Sequence, residues 1–159
     1  MHIDVPDDQH PIMYVWGQMV PGIGPAAAAF AQAVYDHRTL ELHTFEAARM
    51  RIAQINGCVF CQDWRTEIDG ATVEPGFDDE VASWRTSTVL DDRARLAAEY
   101  AERYALDHHG IDDDLWERLH GAFTDAEIVE LTMCLGSWIG FGRLNRVFGL
   151  DTACVLPDH

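Results

Sequence analysis

The side chains most able to do chemistry are those of two cysteines, Cys58 and Cys61, which are separated by two residues. At this spacing the two sulfur atoms can close a disulfide within one helical turn, and the thiolate is the reactive species. The Asn56-Gly57 pair before them is typical of the end of a helix, so we expect Cys58 to open the next one. Unpaired N–H groups at a helix N-terminus lower the pKa of a nearby thiol. The pair therefore indicates thiol–disulfide exchange or peroxide reduction.

Two other interpretations of the pair are inert buried thiols and half of a zinc site. A zinc site needs about four ligands, and the sequence has no second Cys or His pair at metal spacing. The adjacent His108 and His109 fall in a predicted loop and are expected to be exposed. Of the remaining cysteines, Cys134 is predicted to be an inert buried thiol in the middle of a helix, and Cys154 is taken as incidental. Redox chemistry is favoured over metal binding, and no metal is expected.

Two charged residues near the pair could support its chemistry. Arg65 lies four residues after Cys61, so on a continuous helix the two would share a face, where a guanidinium would stabilise a Cys61 thiolate. It could not transfer a proton, because arginine stays protonated in proteins, and the alternative is a solvated surface arginine. Glu46 lies on the preceding helix, three residues before Arg49. From spacing alone, Glu46 is interpreted as an exposed acid paired with Arg49.

The elements that must position these residues are predicted to be helices throughout. Apolar residues recur at helical spacing, and no alternation typical of strands occurs, so we predict an all-α bundle of about six to seven helices. Asp91 is expected to cap one helix, and residues 124–127 (Thr-Asp-Ala-Glu) form a capping box before the last. Within that last helix, Gly136, Gly140 and Gly142 are each expected to permit a close helix contact. The predicted helices cover 25–36, 40–55, 59–68, 78–84, 91–106, 112–121 and 124–149.

The length of 159 residues suits one domain. We expect an N-terminal arm over 1–24, the helical domain over 25–150 and a C-terminal tail over 151–159. The net charge of −16 repels phosphate backbones and anionic lipids, so neither nucleic acid nor a membrane is an expected partner. Neither a targeting segment nor an apolar run of about 20 residues is visible. A cytoplasmic location is therefore expected, where a close cysteine pair indicates redox or metal chemistry.

The segment that contains these residues resembles a known family. Residues 46–61, EAARMRIAQINGCVFC, look like the signature segment of the alkylhydroperoxidase D-like (AhpD-like) branch of the carboxymuconolactone decarboxylase superfamily. The segment 90–149 is similar to the second half of the longer members, so the resemblance covers about residues 25–150. It implies an all-α fold that assembles as trimers or hexamers. The sequence itself implies no haem, flavin or nicotinamide cofactor.

The resemblance also implies roles for individual residues. The family site consists of a glutamate on the helix before the cysteines, the two cysteines and a histidine four residues after the second; Glu46, Cys58 and Cys61 match the first three. In peroxidase members the second cysteine attacks the peroxide and the first resolves the sulfenic acid, which makes Cys61 peroxidatic and Cys58 resolving. Arg65 stands where the family has its histidine, so a proton relay through that histidine cannot run unchanged. Arg65 could still hold Cys61 as thiolate, with Glu46 as the sole acid and base.

Three hypotheses of function follow. The leading one is a thiol-dependent oxidoreductase, either a peroxidase for a small hydroperoxide or a disulfide reductase, restored by an external dithiol. The second is a lyase or decarboxylase-type enzyme for a small acidic or lactone substrate, with Glu46 as base and Arg65 as carboxylate clamp. The third is a non-catalytic, oligomeric redox sensor or binding protein. Decarboxylase members of the superfamily typically do not depend on a cysteine pair, so the intact pair favours the first hypothesis.

Overall fold

Seven α-helices make up most of residues 1–150, the part of the chain that the computed structural model describes. Within these residues, β-structure is limited to one isolated bridge, between Ile68 and Ala71. The all-α prediction is therefore confirmed. The predicted tail, with Cys154, lies outside the described residues. The α-helices are Gly24–Asp36 (α1), Leu42–Asn56 (α2), Val59–Asp63 (α3), Phe77–Ala82 (α4), Asp92–Leu106 (α5), Asp113–Ala122 (α6) and Asp125–Phe148 (α7), with a 3-10 helix at His108–Gly110.

Capping side chains and glycines set the first and last residues of several helices at the positions that the sequence predicts. Asp91 accepts the N–H of Ala94 at the start of α5. The capping box before α7 is complete, because Thr124 and Glu127 each accept a backbone N–H of the other. Gly149 ends α7 with a φ of 70°, a left-handed conformation that favours glycine. Local signals of this kind therefore set most of the helix boundaries.

Helix α2 is the central element of the bundle. It packs chiefly against α5 and α7 and carries buried residues on nearly every side. Phe45 and Ile52 belong to one apolar cluster with α5, α6 and α7, and Met50 belongs to a second cluster with α4 and α5. Because α2 is enclosed in this way, its polar residues Glu46 and Arg49 must also find partners inside the protein.

Helix α3 is much shorter than predicted, because it ends at Asp63 and not near Ile68. Trp64 already has an extended backbone, with φ −74° and ψ 144°. In a longer helix the carbonyl of Cys61 would accept the N–H of Arg65, but here it accepts a hydrogen bond from the Arg49 side chain. The prediction that Arg65 shares a helix face with Cys61 is therefore wrong.

The predicted N-terminal arm contains a π-helix, Met13–Met19, that the sequence analysis did not anticipate. Trp16 lies on this segment, where its ring packs on Phe141 and its Nε1 donates to Asn145 at 3.1 Å. A Cβ at Gly24 would overlap the Trp16 carbonyl, so glycine is required at the start of α1. Residues 1–24 therefore pack against α1 and α7.

The glycines of α7 differ in their surroundings. A Cβ at Gly142 would press on the side-chain amide of Asn56, so this glycine does permit a close approach between α7 and α2. Gly136 and Gly140 are exposed; a Cβ at Gly136 would make only an ordinary van der Waals contact, 3.6 Å from the Tyr104 hydroxyl, and one at Gly140 would meet nothing within 4 Å in the described chain. The predicted close contact is confirmed for Gly142 and wrong for the other two.

Candidate functional site

The cysteine pair lies at the N-terminus of α3, as predicted. The structure joins Cys58 and Cys61 as a disulfide with Cα atoms 5.3 Å apart. Cys58 is the N-cap residue, and its sulfur accepts the N–H of Cys61 at 3.3 Å. Cys58 is 3% exposed, whereas Cys61 is half-buried. A reagent from solvent therefore meets the sulfur of Cys61 first.

An ion pair is buried on α2 next to this segment. Glu46 and Arg49 are 0% and 3% exposed, and Arg49 donates from Nε to Glu46 Oε2 at 2.7 Å and from Nη2 to Oε1 at 2.5 Å. The buried hydroxyl of Thr66 also donates to Oε2, at 2.7 Å. These partners compensate a charge that would otherwise be costly to bury. The predicted pairing of Glu46 with Arg49 is confirmed, and its predicted exposure is wrong.

Arg49 connects this pair to the cysteines. Its Nη1 donates to the carbonyl of Cys61 at 2.6 Å and its Nη2 to the carbonyl of Trp64 at 2.8 Å. The guanidinium also lies 5.2 Å from the ring centroid of Trp64, within the range of a cation–π contact. Three of the predicted site residues, Glu46, Cys58 and Cys61, are thereby brought into one hydrogen-bonded assembly.

Sequence reasoning did not assign Arg49 or Thr66 to the site. Arg49 carried a usable signal, since its spacing of three residues from Glu46 places both side chains on one face of a helix. Thr66 carried none, because it reaches Glu46 only after the chain leaves α3 and turns back.

Arg65, the fourth predicted site residue, has other partners. Its guanidinium donates to the carbonyls of Gln62 and Trp64 and pairs with the carboxylate of Asp78 at 3.3 Å. These groups account for its polar contacts within the described residues, and none of them is the sulfur of Cys61. Arg65 lies beside the end of α3, and its role at the thiolate stays a prediction.

Aromatic rings enclose the buried pair. Tyr35 meets Trp64 edge to face at a centroid distance of 5.3 Å and Phe45 at 5.7 Å. Burial raises the pKa of Tyr35 to about 12, opposed by the nearby charge of Arg49, so the phenol stays protonated at neutral pH. Trp64 and Val59 are exposed on either side of Cys61 in the sequence. The segment that carries the accessible sulfur therefore presents apolar side chains to solvent.

Cys134 is separate from this assembly. It is buried in α7, and burial, with the charge of Glu130, raises the pKa of its thiol to about 12. The prediction of a buried thiol is confirmed. Cys134 lines a mostly apolar groove of about 600 Å³ between α1 and α7, to which α2 and α3 contribute nothing. The groove is therefore distinct from the cysteine pair.

Within residues 1–150, no helix has both the length and the apolar character needed to cross a lipid bilayer. In the same part of the chain, no three or more His, Cys, Asp or Glu side chains are grouped so that they could hold a metal ion.

Comparison with known proteins relates the chain to two others. No family model matches the sequence. The chain is 39% identical over 113 residues to the uncharacterized protein YnjA of Escherichia coli K12, which is 68% of this chain and 61% of that protein, so it spans less than two thirds of the relative's length.

The second is a crystal structure of a protein of unknown function from Agrobacterium tumefaciens, named as a candidate AhpD protein of antioxidant defence. It superposes with a TM-score of 0.72 and 24% identity, covering 91% of this chain and 97% of the other. This likeness, together with the helix order, shows that the chain has the AhpD-like fold.

Proposed function

We propose that this protein is a thiol-dependent oxidoreductase of the carboxymuconolactone decarboxylase superfamily, acting as a hydroperoxide peroxidase or disulfide reductase. The observation that carries the proposal is the pairing of Cys58 and Cys61 as a disulfide with one accessible and one buried sulfur. The fold and the residues of the segment 46–61 support the same assignment. Fold alone does not determine chemistry, so the argument depends on the two sulfur atoms.

The proposed oxidative half-reaction uses both sulfurs. The Cys61 thiolate attacks the outer oxygen of a hydroperoxide, which breaks the O–O bond, forms a sulfenic acid and releases an alkoxide that takes up a proton as alcohol. The Cys58 thiol then attacks the sulfenic sulfur, which forms the disulfide and releases water. Two electrons pass from the two thiols to the peroxide. The exposure of Cys61 and the burial of Cys58 suit these roles, which also agree with the family resemblance.

The proposed reductive half-reaction also begins at Cys61. A thiolate of an external dithiol attacks the accessible Cys61 sulfur and expels Cys58 as a thiolate, and the second thiol of the reductant then releases Cys61. The leaving Cys58 sulfur already accepts the N–H of Cys61, and a stabilised leaving thiolate departs faster. The external dithiol must be available in the protein's compartment, which is why we propose the cytoplasm as its location.

Glu46 is part of the proposed site, but its contacts suit positioning more than proton exchange. Both of its oxygens accept hydrogen bonds, from Arg49 and from Thr66. The lyase hypothesis requires Glu46 and Arg65 to face one substrate, whereas each has separate partners in the fold. We therefore propose the redox function in preference to it.

The test is turnover of an organic hydroperoxide with a dithiol as reductant. We expect Cys61→Ser to abolish turnover, and we expect Cys58→Ser, treated with peroxide in the absence of dithiol, to consume one equivalent and leave a sulfenic acid at Cys61. Cys134→Ser is the matched control and should retain turnover, because Cys134 is buried and its thiol is held protonated. Full turnover by Cys61→Ser would contradict the mechanism. A wild-type pair that oxidises reversibly without any turnover would instead support a redox sensor.

We further propose that the protein is a homo-oligomer, a trimer or hexamer. Helix α7 exposes a stripe of uncharged residues, defined as Val129, Met133, Gly136, Gly140 and Val147, along its outer face, with the exposed Arg143 on the same side between Gly140 and Val147. The spacing of four, three, four and seven residues keeps these positions on one side of the helix. Both glycines are exposed, and the space at Gly140 is open within the described chain, so a second helix could approach closely there.

A further inference from the structure

Arg49 is the side chain that physically joins the buried carboxylate to the cysteine segment. Its guanidinium makes four hydrogen bonds, two to Glu46 on its own helix and one each to the carbonyls of Cys61 and Trp64. Arginine presents five N–H donors in a rigid planar fork, so one side chain can serve all of these acceptors at once. The bonds to Glu46 fix the fork, and the fork in turn fixes the end of α3.

Helix α3 needs this support because of its length. A helix of five residues is far below the length that is stable alone in water, and its last carbonyls have no partner within the helix. In the oxidised protein the disulfide holds the segment closed. The bonds of Arg49 to the carbonyls of Cys61 and Trp64 involve neither sulfur atom, so reducing the disulfide removes none of their donors or acceptors.

We infer that Arg49 is a positioning residue that sets the redox equilibrium of the pair, by holding Cys61 within reach of Cys58 when both are reduced. The inference rests on the proposed function in taking the pair as redox active. In the equilibrium concerned, the two thiols lose two electrons and two protons to the disulfide of an external dithiol, which is reduced. A tether that keeps the thiols close raises their effective concentration toward each other and favours the protein disulfide.

The chain provides a matched control in Arg51. It lies on the same helix and pairs with a carboxylate, donating to one oxygen of Glu102, Oε2, from Nε at 2.8 Å and from Nη2 at 2.5 Å. Its remaining hydrogen bond is to Gln54, so it does not contact the cysteine segment. A shift that comes only from replacing an arginine of α2 and breaking its ion pair should also appear in the Arg51 variants.

The experiment measures the reduction potential of the Cys58–Cys61 pair in dithiothreitol redox buffers, in the full chain, with mass spectrometry counting free thiols. We expect Arg49→Met to lower the equilibrium constant for disulfide formation at least tenfold, which raises the reduction potential of the pair by about 30 mV. The potential of Arg49→Lys should lie between those of Arg49→Met and wild type. For Arg51→Met and Arg51→Lys, the equilibrium constant for disulfide formation should stay within about threefold of wild type, well below the tenfold change expected for Arg49→Met. Equal shifts at the two positions, or an unshifted Arg49→Met, would overturn the inference.

Arg49→Met strands the carboxylate of Glu46 in the interior, and this could prevent folding. The double variant Glu46→Gln, Arg49→Met removes that charge together with its partner, and we expect the same weakening from it. A wild-type potential in the folded double variant would overturn the inference. Turnover is not part of this readout. A wild type with neither peroxidase nor disulfide reductase activity would contradict the proposed function, and the comparison of potentials would still decide the role of Arg49.

Discussion

The two sulfur atoms of the pair differ in exposure, and exposure decides which of them a reagent can reach. Cys61 is half-buried at the surface of α3, whereas Cys58 lies beneath it as the N-cap. The N–H of Cys61 donates to the Cys58 sulfur, which suits Cys58 as a leaving group, while access favours reaction at Cys61. Both features are used in the proposed cycle. In the oxidative half-reaction Cys61 attacks the peroxide and Cys58 resolves the sulfenic acid; in the reductive half-reaction the dithiol attacks Cys61 and Cys58 is the leaving group.

This asymmetry predicts the order of alkylation in the reduced native protein. Cys61 should react with iodoacetamide first and Cys58 more slowly, as followed by peptide mass spectrometry. Cys134 should stay unmodified at pH 8 until denaturant is added, because burial raises its pKa to about 12. A faster reaction at Cys58 than at Cys61 would contradict the assigned roles.

The raised pKa of Cys134 has a consequence for stability. A thiol that binds its proton more tightly in the folded state stabilises the fold fully below its unfolded pKa of about 9, and this contribution is lost as the pH rises from there toward 12.

At the scale of elements, the helix ends that depend on neighbouring residues could be predicted. The capping box of α7, the Asp91 cap and the glycine at the end of α2 each act within a few residues of sequence. The end of α3 could not be predicted, because the Cys61 carbonyl is taken by Arg49, twelve residues earlier in the chain. The same holds for the π-helix at Met13–Met19, whose Trp16 packs on α7, more than a hundred residues away.

The capping box of α7 predicts a specific acid dependence. Hydrogen bonds from the Thr124 N–H and from Arg93 lower the pKa of Glu127 to about 2. Because the folded pKa is depressed, the stabilisation is present above the ordinary value of 4.5 and is lost as the pH falls toward 2. Glu127→Gln should therefore cost about 1 kcal/mol at pH 7 and flatten the loss of stability between these pH values.

Urea unfolding at a series of pH values measures this effect. Asp113→Asn is the matched control, since Asp113 is an exposed carboxylate in the first turn of α6 and should leave the acid profile unchanged. If Glu127→Gln had the same acid profile as wild type, the assignment of this stabilisation to the Glu127 carboxylate would be wrong.

At the scale of the whole molecule, charge and apolar surface act in opposite directions. Each chain carries a net charge of −16, which repels other copies over a range that salt shortens. From Val129 to Gly140 the stripe on α7 carries no charge, and the one charge that follows on this side, that of Arg143, is opposite in sign to the net charge, so copies would meet here at low electrostatic cost.

We therefore predict assembly through this stripe. Light scattering at physiological salt should give three or six times the chain mass of 17.9 kDa. The double variant Val129→Glu, Met133→Glu should dissociate the oligomer, because each substitution places a charge in an apolar contact. Val89→Glu, at an exposed apolar residue outside the stripe, should not change the mass. A monomeric wild type would contradict the prediction.

The central claim is that Cys58 and Cys61 form one redox unit that reacts with peroxide. The most direct measurement is a thiol titration of the reduced protein before and after one equivalent of organic hydroperoxide, with mass spectrometry locating any disulfide. We predict rapid loss of two thiols, a disulfide mapped to Cys58 and Cys61, and full recovery with a dithiol. Two thiols that remain free, or a disulfide that involves Cys134, would contradict the account.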